Sequence, residues 1–218
     1  MKKAVIFDLD GTLVNSIPFH FKIHKAVFEE YGVNLTKQFF EEKCNGASPR
    51  DFYKTIMKYN NIPDREFDNL FNKNLKTRDK HQKKHLHEIK VFPGVKSTLK
   101  KLKNSGYKIA VASSSSHKYV NTILKNNNIT HYFDHIVGGD EVTKTKPDPH
   151  IFLLARKELN IPKPYCVVVE DAKNGVLAAK NAKMDCLCLL TSERKEDIPK
   201  YATIVPKHSQ LFNLISEM

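Results

Sequence analysis

Continuous apolar runs, rather than alternating ones, punctuate this chain. Ala4-Val5-Ile6-Phe7 breaks into Asp8-Leu9-Asp10-Gly11-Thr12, and later runs are Lys108-Ile109-Ala110-Val111-Ala112, His135-Ile136-Val137, Cys166-Val167-Val168-Val169 and Cys186-Leu187-Cys188-Leu189-Leu190. A half-exposed strand alternates apolar and polar residues, so an unbroken run of this length reads as a strand covered on both faces. Between the later runs, helical patterns occupy residues 95–105, 117–126, 149–160 and 174–183, the first bracketed by Pro93 and Gly106. Strand and helix alternate from residue 90 onward, which predicts an α/β core built on a parallel sheet.

A parallel crossover needs only about a dozen residues, yet the strand after Phe7 begins at Lys108. The intervening sequence reads as helices over 18–31, 37–44, 50–60 and 64–85, broken at Gly32, Gly46-Ala47-Ser48-Pro49 and Ile62-Pro63. The expected organisation is a catalytic core made of residues 1–14 and 89–218, with an all-helical insertion at 15–88. Short hinges near Asn15-Ser16 and Ile89–Pro93 would join them.

Composition narrows the class only modestly. The 218 residues are 40% hydrophobic and 28% charged, ordinary for a globular protein. No apolar run approaches the roughly 20 residues needed to cross a bilayer, and no signal-peptide pattern precedes Asp8, so no membrane is expected and a cytoplasmic location is. The cysteines Cys44, Cys166, Cys186 and Cys188 form no C-x-x-C pair; buried free thiols are expected, with Cys186 and Cys188 on one strand face. The net charge of +12 is spread along the chain beside many asparagines, and no nucleic-acid signature accompanies it, so no nucleic-acid partner is expected. The basic stretch Lys76 to Lys90 contains His81, His85 and His87, and a solvated helix end explains them without a metal. A monomer is expected.

The chemistry lies at the strand ends, where open parallel sheets bind ligands. Asp8 and Asp10 follow the first strand, Ser113 to Ser116 the second, Lys146 lies in the loop after the third, and Glu170-Asp171 end the fourth. Carboxylates crowded at one rim repel each other unless a cation neutralises them, and an all-oxygen donor set suits Mg²⁺. A lysine beside that ion points to an anionic substrate, most economically a phosphate, with Ser113 and Ser114 at a helix start as further phosphate donors. The Asp-x-Asp spacing lets Asp8 and Asp10 face one phosphorus, one to attack and one to move a proton.

The segments Asp8-Leu9-Asp10-Gly11-Thr12-Leu13-Val14, the strand ending in Ser113, Lys146-Pro147-Asp148-Pro149-His150-Ile151-Phe152 and Val169-Glu170-Asp171-Ala172-Lys173-Asn174-Gly175-Val176-Leu177-Ala178-Ala179 resemble the four ordered motifs of the haloacid dehalogenase-like superfamily, from Phe7 to Met184. The helical insertion resembles the cap of the subgroup containing β-phosphoglucomutase, phosphoglycolate phosphatase and sugar phosphatases. The resemblance implies a Rossmann-like core. It also implies Asp8 as nucleophile, Asp10 as general acid and base lending its carbonyl to Mg²⁺, Ser113 and Lys146 on the phosphoryl group, and Glu170 and Asp171 on the metal. His20, in Pro18-Phe19-His20-Phe21, and Arg50, after Ser48-Pro49, are candidate substrate contacts in the cap, although each reads equally well as a surface residue. Two departures stand out: Asn15 where Asp is common, and Lys183 where Gly often precedes the next strand.

Taken singly, Asp8-to-Asp10 could be a capping turn and Glu170-Asp171 a helix cap. The expected activity is hydrolysis of a small phosphorylated metabolite through an aspartyl-phosphate. A β-phosphoglucomutase-type transfer is the alternative, and an idle nucleic-acid-binding module the remote one.

Overall fold

The computed structural model describes residues 1–43 and 49–218, apart from the side chains of residues 41, 43, 49, 78, 79 and 81–84. Cys44, the break at Gly46-Ala47-Ser48 and the side chain of His81 therefore lie outside what is described.

The sheet holds β1 (Ala4–Phe7), β2 (Lys108–Ala112), β3 (His135–Val137), β4 (Cys166–Glu170), β5 (Asp185–Leu189) and β6 (Thr203–Val205) in the order β3-β2-β1-β4-β5-β6. Every pairing is parallel, with Ala4 opposite both Lys108 and Cys166. The central strands β1 and β4 are buried at every position, which explains their unbroken apolar runs. Nine α-helices fall among the described residues: α1 (Ile17–Glu29), α2 (Lys37–Lys43), α3 (Pro49–Tyr59), α4 (Phe67–His85), α5 (Val95–Asn104), α6 (His117–Asn126), α7 (His150–Glu158), α8 (Lys173–Ala182) and α9 (Leu211–Ser216). None of the described helices is long and apolar enough to cross a membrane.

Backbone contacts divide the chain into two compact units, Met1–Asn15 with Lys90–Met218, and Ser16–Ile89. In the first, Ile6, Ala110, Val168, Cys186 and Cys188 of the sheet pack against Ile151, Phe152 and Ala155 of α7 and Val176 and Ala179 of α8. Each large side chain buried this completely contributes about 1.5–3 kcal/mol. Alternation along a strand sends Val5, Phe7, Ile109 and Val111 to the opposite face, and these residues are also fully buried. Cys166, Cys186 and Cys188 are free, buried thiols, and burial pushes Cys166 up to about 11. The two segments that enter and leave the insertion are bonded side by side, Phe92 N–H to Leu13 O at 3.0 Å and Asn15 N–H to Lys90 O at 2.9 Å.

The second unit has its own core, with Val27 and Phe28 of α1, Phe52, Tyr53, Ile56 and Met57 of α3, and Leu70 of α4. Residues 64–85 do not form one helix. Asp64–Glu66 make a short 3₁₀ turn after Pro63, and the α-helix starts at Phe67.

Candidate active site

β1 hands its chain direction directly to the site. The Asp8 N–H donates to Val169 O at 2.9 Å, continuing the β1–β4 pairing by one residue and fixing Asp8 at the strand tip. Glu170 ends β4 and Asp171 follows it, so three carboxylates meet where two adjacent central strands stop. All three residues are buried, and they offer oxygens within 4.8 Å of one another.

Lys146 arrives from the loop after β3. Its ammonium donates to Asp8 Oδ1 at 2.5 Å, Glu170 Oε1 at 2.6 Å and Ala112 O at 3.2 Å, one acceptor for each N–H. The same nitrogen lies 4.9 Å from the centre of the Phe152 ring. Burial alone would favour loss of the proton, but the Asp8 and Glu170 carboxylates hold the ammonium well above its ordinary value. Asp8 is raised well above the usual carboxylate range, first by burial; Lys146 opposes this, and Glu170 and Asp171 add to it. Asp171 is pushed up to about 8 by burial and then by Glu170, against hydrogen bonds from Ser192 and Thr12.

One ammonium does not balance three buried carboxylates. A hard divalent cation would restore the balance, and the all-oxygen donor set fits Mg²⁺. Two glycines make room for this cluster. Gly11 has φ +85, and a methyl group there would collide with the Asp171 carboxylate and the Ser192 hydroxyl. At Gly175, inside α8, a methyl group would overlap Glu170.

The Asp10 carboxylate is outside that group. Its Oδ2 accepts from Ser115 Oγ at 3.0 Å and its Oδ1 from the Tyr119 hydroxyl at 3.1 Å. Ser113 is buried at the end of β2, where its Oγ accepts from Ser115 N–H at 3.1 Å. Ser114 is exposed at the same rim. Ser116 caps α6, accepting from Tyr119 N–H at 3.4 Å. His20 and Arg50 belong to the helical unit. His20 is half-buried on α1 with its ring edge-on to Phe19 at 5.6 Å, and the exposed Arg50 places its guanidinium 5.3 Å from the Phe71 ring and 5.7 Å from that of Phe67.

Several supporting residues escape sequence reading. Thr12 Oγ donates to Asp171 Oδ1 at 2.7 Å, and the Thr191 hydroxyl donates to Gly11 O. His208 donates from Nε2 to Thr12 O at 2.6 Å while stacking on Phe92 at 5.0 Å. Burial lowers the His208 pKa, against the hydrogen bond to Thr12. The first loop is thus held from the far end of the chain, where no motif marks the residues that hold it.

Comparison with known proteins identifies the family. The family model described as haloacid dehalogenase-like hydrolase matches residues 5–189. A phosphorylated carbohydrates phosphatase from Thermotoga maritima is 31% identical over 221 aligned positions, covering 99% of each chain. A β-phosphoglucomutase from Bacillus subtilis is 33% identical, covering 84% of this chain and 80% of its own. The solved β-phosphoglucomutase of Clostridium difficile superposes with a TM-score of 0.79 at 26% identity, over 100% of this chain and 96% of that one.

Proposed function

The chain belongs to the haloacid dehalogenase-like hydrolase family and is a phosphatase of that family, and on that premise we propose that it hydrolyses a small phosphorylated metabolite, a sugar phosphate or similar phosphomonoester. The observation that carries the reading is Asp8, buried at the tip of the central strand with the Lys146 ammonium 2.5 Å away. A carboxylate so placed is desolvated, directional and adjacent to a charge that can receive phosphoryl oxygens.

In the proposed reaction an Asp8 oxygen attacks phosphorus as the ester oxygen departs with a proton from Asp10, leaving an acyl phosphate on Asp8. Asp10 then takes a proton from water, the water oxygen attacks the same phosphorus, and inorganic phosphate leaves with the Asp8 carboxylate restored. Lys146, Ser113 and Ser114 hold the phosphoryl oxygens through both steps. Asp8, Glu170 and Asp171, with the Asp10 carbonyl, would hold Mg²⁺, which when bound neutralises charge on the phosphoryl group.

His20 and Arg50 are proposed to contribute to substrate choice. The second reading concerns the acceptor: the 33% identity to a β-phosphoglucomutase favours a sugar hydroxyl in place of water. A phosphate-release screen over phosphorylated metabolites with Mg²⁺ tests both, with β-glucose 1-phosphate isomerisation followed alongside. Asp8→Asn should abolish turnover by several orders of magnitude while the protein stays folded, and His20→Ala or Arg50→Ala should impair the true substrate more than a small generic ester. Label trapped on any residue other than Asp8 would overturn the assignment; isomerisation faster than phosphate release would replace hydrolase with mutase.

A further inference from the structure

The groups around Asp10 carry an inference that rests on its reading as general acid and base. Each oxygen of its carboxylate has a hydroxyl donor, Ser115 Oγ on Oδ2 at 3.0 Å and Tyr119 OH on Oδ1 at 3.1 Å. Tyr119 lies in the first turn of α6 and Ser115 just before its cap, and that segment is itself fixed. Ser116 Oγ accepts the Tyr119 N–H, and Ser113 Oγ accepts the Ser115 N–H. Tyr119 is only 5% exposed, so packing sets the direction of its ring. Nothing in packing requires a hydroxyl at this place, because Val120, Ile123 and Leu124 already supply the buried apolar face of α6. The phenol is the group that aims the helix at the carboxylate.

We propose that Tyr119, seconded by Ser115, is a positioning residue for the proton-transferring carboxyl of Asp10. Two donors, one on each oxygen, fix both the rotation and the plane of the group. Proton transfer in a transition state depends on that alignment more than on binding. The benefit is therefore unequal between substrates: an alkyl or sugar alkoxide cannot leave without a proton, whereas p-nitrophenolate can.

The test uses the full-length protein with Mg²⁺ and two probes, glycerol 2-phosphate and p-nitrophenyl phosphate. Tyr119→Phe removes one oxygen and keeps the ring. It should lower kcat/KM, which reports the step that expels the leaving group, about tenfold more for glycerol 2-phosphate than for p-nitrophenyl phosphate, a part of the roughly 10²–10⁴-fold that proton transfer supplies. Ser115→Ala should give the same unequal pattern and decides the matter if Tyr119→Phe does not fold. Equal losses on the two esters would reduce Tyr119 to a packing residue, and a gain in rate would make it a group that withholds Asp10; both overturn the inference. Asp10→Asn separates the layers of the argument. If it is unselective between the esters, the reading of Asp10 fails. If it is selective while Tyr119→Phe and Ser115→Ala are not, only this inference fails.

Discussion

Gly175→Ala should destabilise the catalytic unit even though it replaces glycine with the best helix former inside a helix. On helix propensity alone, alanine in α8 would gain up to about 1 kcal/mol. The new methyl group, however, overlaps Glu170 Cδ and Oε1. A long side chain could ordinarily swing aside, but Glu170 is 2% exposed and held three ways: by Lys146 Nζ at 2.6 Å on Oε1, and by the N–H groups of Asp171 at 3.0 Å and Ala172 at 3.3 Å on Oε2. Moving it breaks a charge-assisted bond worth about 1.5–3 kcal/mol and leaves buried donors short of an acceptor at about 1–3 kcal/mol. Set against the helix gain, the net loss is about 1.5–5 kcal/mol, or about 3–20 °C in Tm for a chain of this size. Urea unfolding of the metal-free protein measures it, and a double-mutant cycle with Glu170→Ala isolates its cause. In the Glu170→Ala background the same substitution should be neutral or stabilising by up to about 1 kcal/mol. A cost of equal size in both backgrounds would show that Glu170 is not what Gly175 makes room for.

The remaining expectations concern the metal, pH and a helix end. Turnover should vanish in EDTA, return with Mg²⁺ and be opposed by Ca²⁺, with Asp171→Ala raising the Mg²⁺ requirement more than Glu170→Ala; full activity in chelator would end the metal assignment. Unfolded, Asp171 ionises near pH ~4, but folded it keeps its proton to about 8. Between those values the folded state binds more protons, so Asp171 makes metal-free stability fall as pH rises, by up to about 1.4 kcal/mol per unit, beside a contribution of the same sign from Asp8. Asp171→Asn should reduce that slope, and an unchanged slope would place its origin elsewhere. Lys183 ends α8 at φ +58, where a side chain costs about 1 kcal/mol, so Lys183→Gly should stabilise by about 0.5–1 kcal/mol in thermal unfolding; destabilisation would mean that its side chain makes a contact worth more than the backbone relief.

Lys183 also shows what kind of information a sequence carries. Its departure from the usual glycine is visible in the sequence, but only the left-handed backbone explains why glycine is usual there. The buried strands were legible because burial on both faces leaves a run with no polar interruption, as in Cys166-Val167-Val168-Val169. β6 and α9 were not, since Thr203–Val205 is too short to show a period and Leu211–Ser216 spans under two helical turns. The meeting of Asp8, Lys146, Glu170 and Asp171 followed from strand ends sharing one rim. The partners of Asp10 and Thr12 did not. Tyr119 sits where an amphipathic helix needs an apolar residue, and His208 lies in a three-residue turn with no pattern to link it to Thr12.

The order β3-β2-β1-β4-β5-β6 puts the earliest strand to be synthesised in the middle of the sheet. Its neighbours begin only at Lys108 and Cys166, and the groups that bond or surround Asp8 arrive with Lys146, Val169, Glu170 and Asp171. The helical unit is different, because every residue of Ser16–Ile89 has been made before β2 begins. At roughly 5–20 residues per second, translation from Asp8 to Asp171 takes about 8–33 s. Throughout that interval the growing chain carries Asp8 on an apolar strand with no β4 to pair with. The carboxylate cluster is therefore complete only once Asp171 has been made, and a nascent chain needs shelter for this strand long before it can turn over a substrate.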